Sequence, residues 1–172
     1  TLSICVLITD DARGAELPAE RRYPVYSGRV TALKGYLGAF EVSWTQANPI
    51  DLEACTRCGA CVEACPESAI SAALQVDLDK CKSHRSCVTA CGAVKAIDFA
   101  RADTVRSDRF DLVFDLSETP HIRLHEPPQG YLAPGADVIA QAKAVTEIAG
   151  MTGEFEKPKY FAYKASICAH RR

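Results

Sequence analysis

The sequence predicts an α+β protein built around a small duplicated core that is rich in cysteine. Seven of the nine cysteines lie between residues 55 and 91, in two runs of similar spacing. Short apolar runs bounded by turn-forming residues precede that region, as is typical of β-strands. An apolar stripe at helical spacing follows it, behind an early aspartate, and predicts a helix near residue 137.

The first 49 residues are predicted to form a mostly β segment. Residues 4–8 are apolar and end at a turn-like Thr-Asp-Asp cluster, so we expect a short strand there. Residues 13–22 are polar and contain proline, which favours an exposed loop. Two extended stretches, 23–33 and 36–44, flank Lys34-Gly35 and predict a hairpin. Phe40 and Trp44 are expected to pack in the core of this segment.

The first cysteine run reads Cys55-x2-Cys58-x2-Cys61-x3-Cys65-Pro66. This is the spacing of bacterial iron–sulfur sites, in which the fourth cysteine of the run ligates a neighbouring cluster. Zinc motifs usually supply their ligands as separated pairs, which fits four densely packed cysteines poorly. A short helix is expected from Cys61 to Cys65, ended by Pro66, because proline has no backbone N–H to donate.

A second copy of this unit begins 26 residues later, the separation of Cys55 and Cys81. Residues 50–53 (IDLE) match residues 76–79 (VDLD), and Cys61 and Cys65 match Cys87 and Cys91. His84 takes the position of Cys58. Ala96-Ile97 matches Ala69-Ile70 when one extra residue is allowed. The agreement indicates an internal repeat, and residues 69–78 are expected to supply a strand to each half.

Residues 50–99, with their two cysteine runs, resemble a two-cluster bacterial ferredoxin domain. The resemblance implies a pseudo-two-fold α+β domain with two [4Fe-4S] clusters. It also implies crossed ligand sets. The first cluster would be held by Cys55, Cys58, Cys61 and Cys91, and the second by Cys65, Cys81 and Cys87. His84 and Gly92, where a cysteine and a proline are typical, depart from the family pattern.

His84 leaves the type of the second cluster open. The imidazole could itself ligate iron, as imidazole does in Rieske centres. It could instead stand aside and leave a [3Fe-4S] cluster on three thiolates. A third alternative is that a distant thiol, Cys5 or Cys168, supplies the fourth ligand. Cys5 is more typical of a buried small apolar residue than of a ligand.

Residues 100–172 form the predicted C-terminal extension. Residues 101–109 are charged and are expected to be a connector, followed by a half-buried strand over 110–116. Residues 120–135 are rich in proline and predict an ordered covering loop that holds His121 and His125 in structural or solvent-facing positions. A helix with an apolar stripe is expected from Asp137 to Gly150 or Gly153. The basic, aromatic stretch 154–172 is expected to be a solvated tail.

The flanks resemble larger proteobacterial multi-cluster ferredoxins, some of which occur with formate dehydrogenase components. The resemblance lies in residues 36–40 (YLGAF), 128–131 (PQGY) and 162–170 (AYKASICAH). It implies a redox protein partner, with a formate dehydrogenase-type complex as one candidate. Since the chain also begins without methionine, we expect it to be a piece of a longer protein.

The composition narrows the function further. A net charge of −2 argues against nucleic-acid binding and a polybasic membrane anchor, and no apolar stretch approaches the roughly 18 residues of a membrane span. Thiolate clusters need reduced cysteines, which favours the cytoplasm.

No phosphate loop or nucleophilic triad is evident. We therefore expect an electron-transfer module; the alternatives are a structural or redox-sensing module and an enzyme using an incompletely ligated cluster.

Overall fold

In a computed structural model that describes residues 2–9, 17, 22–46, 48–101 and 104–152, four strands precede the cysteine region, which contains two short helices, and three strands and a third helix follow it. The predicted tail at 154–172, with Cys168, lies outside the described residues, as does most of the predicted loop at 13–22. The elements are β1 (Val6–Ile8), β2 (Val25–Ser27), β3 (Arg29–Lys34), β4 (Phe40–Gln46), α1 (Ala60–Glu63), α2 (Ser86–Cys91), a 3₁₀ turn (Gly92–Val94), β5 (Thr104–Phe110), β6 (Val113–Phe114), β7 (Tyr131–Leu132) and α3 (Val138–Gly150). The predicted mixed α+β class is confirmed.

The predicted hairpin forms from β3 and β4, which pair antiparallel across the turn that contains Gly35. Alternate residues of β4 are buried, and they include Phe40 and Trp44 as expected. The stretch 23–33 is nevertheless not one strand. It divides at Gly28, and β2 pairs parallel with β1. Glycine is required there because a Cβ would lie 2.2 Å from the carbonyl oxygen of Thr45.

The prediction of a connector over 101–109 is wrong. Thr104–Phe110 is β5, which pairs along its whole length with β4 and completes a three-stranded sheet in the order β3-β4-β5. The charged side chains are tolerated because β5 is an edge strand with one face in water. One of them, Arg106, lies 5.0 Å from the ring centre of Tyr26 and 3.3 Å from a carboxylate oxygen of Glu53.

The predicted strand over 110–116 is also wrong in extent. Phe110 ends β5, and after a break Val113–Phe114 forms β6, which pairs parallel with β7. The predicted covering loop at 120–135 therefore contains a short strand. The helix α3 begins as expected, because the Asp137 carboxylate accepts hydrogen bonds from the N–H groups of Ile139 and Ala140.

Most of the apolar stripe of α3 faces away from the described core. Val138, Ile139 and Val145 are exposed, whereas Ala144 is the buried residue of this helix. The stripe therefore does not serve as a core face within the described residues. None of the helices in the described ranges is long and apolar enough to cross a membrane.

The cysteine region, residues 50–99, contains no regular strand. The predicted strands of the two halves are reduced to isolated antiparallel bridges, one joining Ile50 to Ile97 and the other joining Ile70 to Val76. Each bridge joins the residue that precedes one cysteine run to the residue that follows the other run. The apolar core beneath them also includes Ile8 from β1, so the N-terminal strands and the cysteine region share one core.

Candidate metal centre

The first cysteine run is held by hydrogen bonds from its own backbone. The N–H of Cys55 donates to the carbonyl oxygen of Asp51 at 2.8 Å. The side chain of Asp51 accepts from the N–H groups of Glu53 and Ala54 and so fixes the start of the loop. Gly59 has a φ of 77° and stands directly before α1. This left-handed residue turns the loop into the helix that carries Cys61.

The second run is built in the same way. The N–H of Cys81 donates to the carbonyl oxygen of Asp77 at 3.1 Å, and the Asp77 side chain accepts from the next two exposed N–H groups, those of Asp79 and Lys80. Arg85 has a φ of 61° and stands directly before α2. Arginine therefore adopts here the left-handed conformation that glycine adopts in the first run.

Four cysteines line one cavity, which we call site one: Cys55, Cys58, Cys61 and Cys91. Three come from the first run and the fourth, Cys91, comes from the second. The other lining residues are mostly apolar; they are Ile50, Thr56, Gly59, Val94 and Ile97. An apolar wall of this kind limits the access of water to whatever the thiols hold.

A second group of thiols, which we call site two, consists of Cys65, Cys81 and Cys87. Burial raises the pKa of Cys87, and the nearby thiols of Cys65 and Cys81 raise it further. The two sites adjoin, because Cys87 also contributes to the raised pKa of Cys61 in site one. The helices that carry these two cysteines, α1 and α2, contact each other.

The thiol pKa values differ within site one. Burial, followed by the neighbouring thiol of Cys55, raises the pKa of Cys61 to about 11. Hydrogen bonds from the N–H of Ala60 and the hydroxyl of Thr56 lower the pKa of the exposed Cys58. Metals and clusters bind the thiolate form, so loading this site releases protons.

Backbone N–H groups also point at the sulfur atoms. The N–H of Arg57 lies 3.3 Å from Sγ of Cys55, and the N–H of Ala69 lies 3.4 Å from Sγ of Cys65. Such donors stabilise negative charge on sulfur and are a means of setting the potential of an iron–sulfur cluster. The donor set therefore suits a thiolate-bound, electron-accepting group.

Within the described residues, no group of three or more His, Cys, Asp or Glu side chains is arranged as a single metal ion requires. A cubane makes a different demand, because each thiolate binds its own corner iron and the sulfur atoms need not converge on one atom. The thiols around one apolar cavity fit a cluster in this respect.

The model of the 4Fe-4S binding domain family matches residues 49–71. Over this segment the chain is similar to a ferredoxin-type 4Fe-4S domain. This match supports an iron–sulfur, metal-binding protein of the electron-transport class. Among curated proteins, none matches the chain.

Two candidate ligands of this iron–sulfur protein other than the seven cysteines, His84 and Cys5, lie in different surroundings. His84 lies in the second loop, with its side chain 47% exposed and its Nε2 4.0 Å from a carboxylate oxygen of Glu67. Cys5 lies just before β1, where burial raises its pKa and the carboxylates of Asp108 and Glu53 raise it further. These are different neighbours from the thiols that surround Cys87, so the structure gives no support to Cys5 as a ligand at site two.

Sequence reasoning missed a polar cluster around Asp115. This buried carboxylate accepts hydrogen bonds from the hydroxyls of Ser117 and Tyr131 and from the N–H of His121. Burial alone would raise its pKa, but these bonds outweigh burial and hold the pKa of Asp115 at about 2. The sequence gives only a weak indication of this cluster, because its residues are scattered in and before a proline-rich segment and follow no motif.

The same cluster brings Ser117, His121 and Asp115 together without forming a nucleophilic relay. Nδ1 of His121 lies 3.0 Å from the Asp115 carboxylate and 3.2 Å from the Ser117 hydroxyl. A relay requires the serine on the opposite ring nitrogen, Nε2. His121 is therefore structural, in agreement with the expectation from the sequence.

Proposed function

We propose that the chain is an electron-transfer module that binds two iron–sulfur clusters in residues 50–99. The observation that carries the proposal is site one, a single apolar cavity lined by Cys55, Cys58 and Cys61 of the first run and by Cys91 of the second. Cys65, Cys81 and Cys87 would hold the second cluster at site two. Each run would then give three positions to its own site and its last cysteine to the other.

A pseudo-two-fold arrangement of the two halves is part of the proposal. It is supported by the matching hydrogen bonds at Asp51 and Asp77, and by the left-handed residues that precede α1 and α2. It is also supported by the two bridges, because the residues joined in one are the repeat equivalents of those joined in the other. We further propose that 1–49 and 100–172 form flanking segments around this domain.

When bound, a thiolate-ligated cubane supplies one-electron transfer without an open iron for substrate. The chain's own residues provide the conditions for it. The apolar wall of site one excludes water, the backbone N–H groups at Cys55 and Cys65 offset negative charge on sulfur, and contact between α1 and α2 keeps the sites adjacent. Adjacent sites would let an electron pass from one to the other.

The exposed Cys58 is the point of site one nearest to solvent among its four thiols. We propose that a redox protein exchanges electrons at this surface, and a formate dehydrogenase-type complex remains a candidate partner. A cytoplasmic location is proposed on the requirement for reduced thiols.

An anaerobic redox titration tests the proposed function. Reversible one-electron reduction of the purified chain, followed by reoxidation by a soluble electron carrier without loss of iron, is the expected result. A cluster that neither reduces nor exchanges electrons, but whose loss unfolds the chain, would contradict an electron-transfer role and favour a structural one.

A further inference from the structure

His84 occupies the same place in the second loop that Cys58 occupies in the first. Cys58 is flanked by two left-handed residues, Arg57 with a φ of 58° and Gly59 with a φ of 77°. His84 is flanked by Ser83 with a φ of 60° and Arg85 with a φ of 61°. The backbone therefore presents the two side chains in the same way, and one of the two is an imidazole.

A second pair of equivalent positions also carries different residue types in the two halves. Ser68 and Lys95 are both left-handed and both precede an Ala-Ile pair, which makes them equivalent positions in the two halves. The residue before Lys95 is Val94, which lines site one. The residue before Ser68 is Glu67. Site two is thus expected to have a carboxylate at its rim where site one has an isopropyl group.

His84 and Glu67, which differ from their repeat equivalents Cys58 and Val94, face each other. Nε2 of His84 lies 4.0 Å from Oε1 of Glu67, and the Glu67 side chain is 38% exposed. Two cations of the same loop are engaged elsewhere, since Lys80 pairs with Asp77 at 3.2 Å and the guanidinium of Arg85 lies 4.0 Å from the ring centre of Phe99. An exposed ion pair of this length adds little to stability, so stability is a poor reason for the pair.

We propose that Glu67 is a positioning residue that holds His84 as a nitrogen ligand of the cluster at site two. With Nε2 turned to the carboxylate, Nδ1 is the ring nitrogen left for iron. Metal-bound histidines usually donate their other ring N–H to a carboxylate or carbonyl, which fixes the ring and raises its basicity. The proposal rests on the proposed function, because it requires a cluster at site two.

The test is pulsed EPR on the reduced, anaerobically purified chain with ¹⁵N-labelled histidine, read as the nitrogen coupling of the site-two cluster. Wild type is expected to show a directly coordinated histidine nitrogen, and His84→Ala is expected to lose it. Glu67→Ala is expected to lose this coupling as well, whereas Glu67→Gln, which keeps an oxygen acceptor, is expected to retain it. Glu63→Ala on α1 is the matched control, because it removes the same charge from another exposed glutamate four residues earlier in the chain.

The outcomes separate the two proposals. A site-two cluster that forms without histidine nitrogen coupling in wild type overturns this inference and leaves the electron-transfer proposal standing. Coupling that survives in Glu67→Ala shows that His84 binds without Glu67, which also overturns the positioning role. A chain that forms the cluster of site one but none at site two contradicts the two-cluster proposal itself, and with it this inference.

Discussion

Cys91 belongs to the second cysteine run in the sequence but lies with the cysteines of the first run in space. At the scale of single residues, this crossing decides how the two halves depend on each other. A cysteine at the C-terminal end of α2 completes a site begun by residues of the first run. Damage to either half is therefore expected to reach the cluster of the other.

The first prediction concerns this crossing. Cys91→Ala is expected to damage the cluster that depends on Cys55, Cys58 and Cys61, because the fourth thiolate of site one is removed. The measurement is EPR of the reduced chain together with the iron content. Cys5→Ala is the control, since Cys5 lies beside Glu53 and Asp108 and is expected to leave both clusters intact. Loss of the second signal with the first unchanged would rule out crossed ligation.

The second prediction concerns the potentials of the two clusters. The cluster at site two is expected to have the higher midpoint potential, because a neutral imidazole, or a missing iron, leaves less negative charge than a fourth thiolate. His84→Cys is expected to lower that potential towards the value of its neighbour. Potentiometric EPR on both proteins makes the comparison. Equal midpoints in wild type, or no shift in the variant, would contradict it.

The basic residues of the second loop are expected to contribute less to this difference than their number implies. Lys80 is paired with Asp77, and Arg85 is stacked on Phe99. Exposed charges are also screened by salt. A potential that shifts on His84→Cys but changes little on Lys82→Ala would agree with this weighting, and the reverse order would contradict it.

Among the secondary-structure elements, the short strands β6 and β7 depend on one buried carboxylate. Asp115 directly follows β6, and Tyr131 in β7 donates its hydroxyl to it. That bond and burial raise the pKa of Tyr131, burial being the larger cause, to about 12. The pair therefore holds β6, β7 and the segment around His121 together.

The third prediction follows from the depressed pKa of Asp115. Because the folded pKa of about 2 lies below the ordinary value of 3.8, the ionised carboxylate stabilises the fold above about pH 4, and this contribution is lost as the pH falls towards 2. Asp115→Asn is expected to lower the free energy of unfolding by about 2 kcal/mol at neutral pH. Urea denaturation of both proteins at several pH values measures the difference.

A matched control for this experiment is Asp111→Asn, an exposed aspartate in the break before β6. It is expected to leave stability nearly unchanged, as surface substitutions usually do. A deficit of Asp115→Asn that stays constant from pH 7 to pH 3 would contradict the account, since the advantage of the carboxylate must shrink as it becomes protonated.

Some secondary-structure elements could be predicted from the sequence, and others could not. The helix at 138–150 was predictable because Asp137 is a strong N-terminal cap, and the hairpin because Lys34-Gly35 separates two extended runs. The strand β5 was missed because alternating charges between 104 and 109 resemble a solvated linker. Only its pairing with β4 makes it a strand, and such a long-range contact leaves no periodic apolar signal at an exposed edge.

The candidate site was predictable to a different degree. Cysteine spacing and the 26-residue repeat pointed to all four residues that line site one, Cys91 included through the resemblance. Glu67 escaped notice because the two halves differ by one residue between Cys91 and Ile97. Its correspondence to Val94 emerges only when the left-handed residues Ser68 and Lys95 are matched.

On the scale of the whole molecule, the flanks and the cysteine region are physically connected. Ile8 and Val25 from the N-terminal strands pack in the same core as Ile50 and Ile97. Arg101 reaches the carboxylate of Asp51 at 3.1 Å, which ties the C-terminal extension to the start of the first loop. The N-terminal segment and the extension also share the sheet β3-β4-β5.

Each of the two loops has an exposed residue at the same position of the repeat. Cys58 is exposed in the first loop, and the His84 side chain is 47% exposed in the second. A redox partner could therefore approach either proposed cluster from this side. Solvent exposure is also one of the factors that set the potential of an iron–sulfur cluster.

Binding of two iron–sulfur clusters by this chain is tested by iron and acid-labile sulfide counts on anaerobically purified protein, with EPR before and after dithionite. We expect a brown protein with roughly seven to eight iron atoms and eight sulfides per chain. We also expect signals from two interacting clusters after reduction. A colourless protein with stoichiometric zinc would contradict the binding of two clusters, as would about four irons per chain and a single isolated signal.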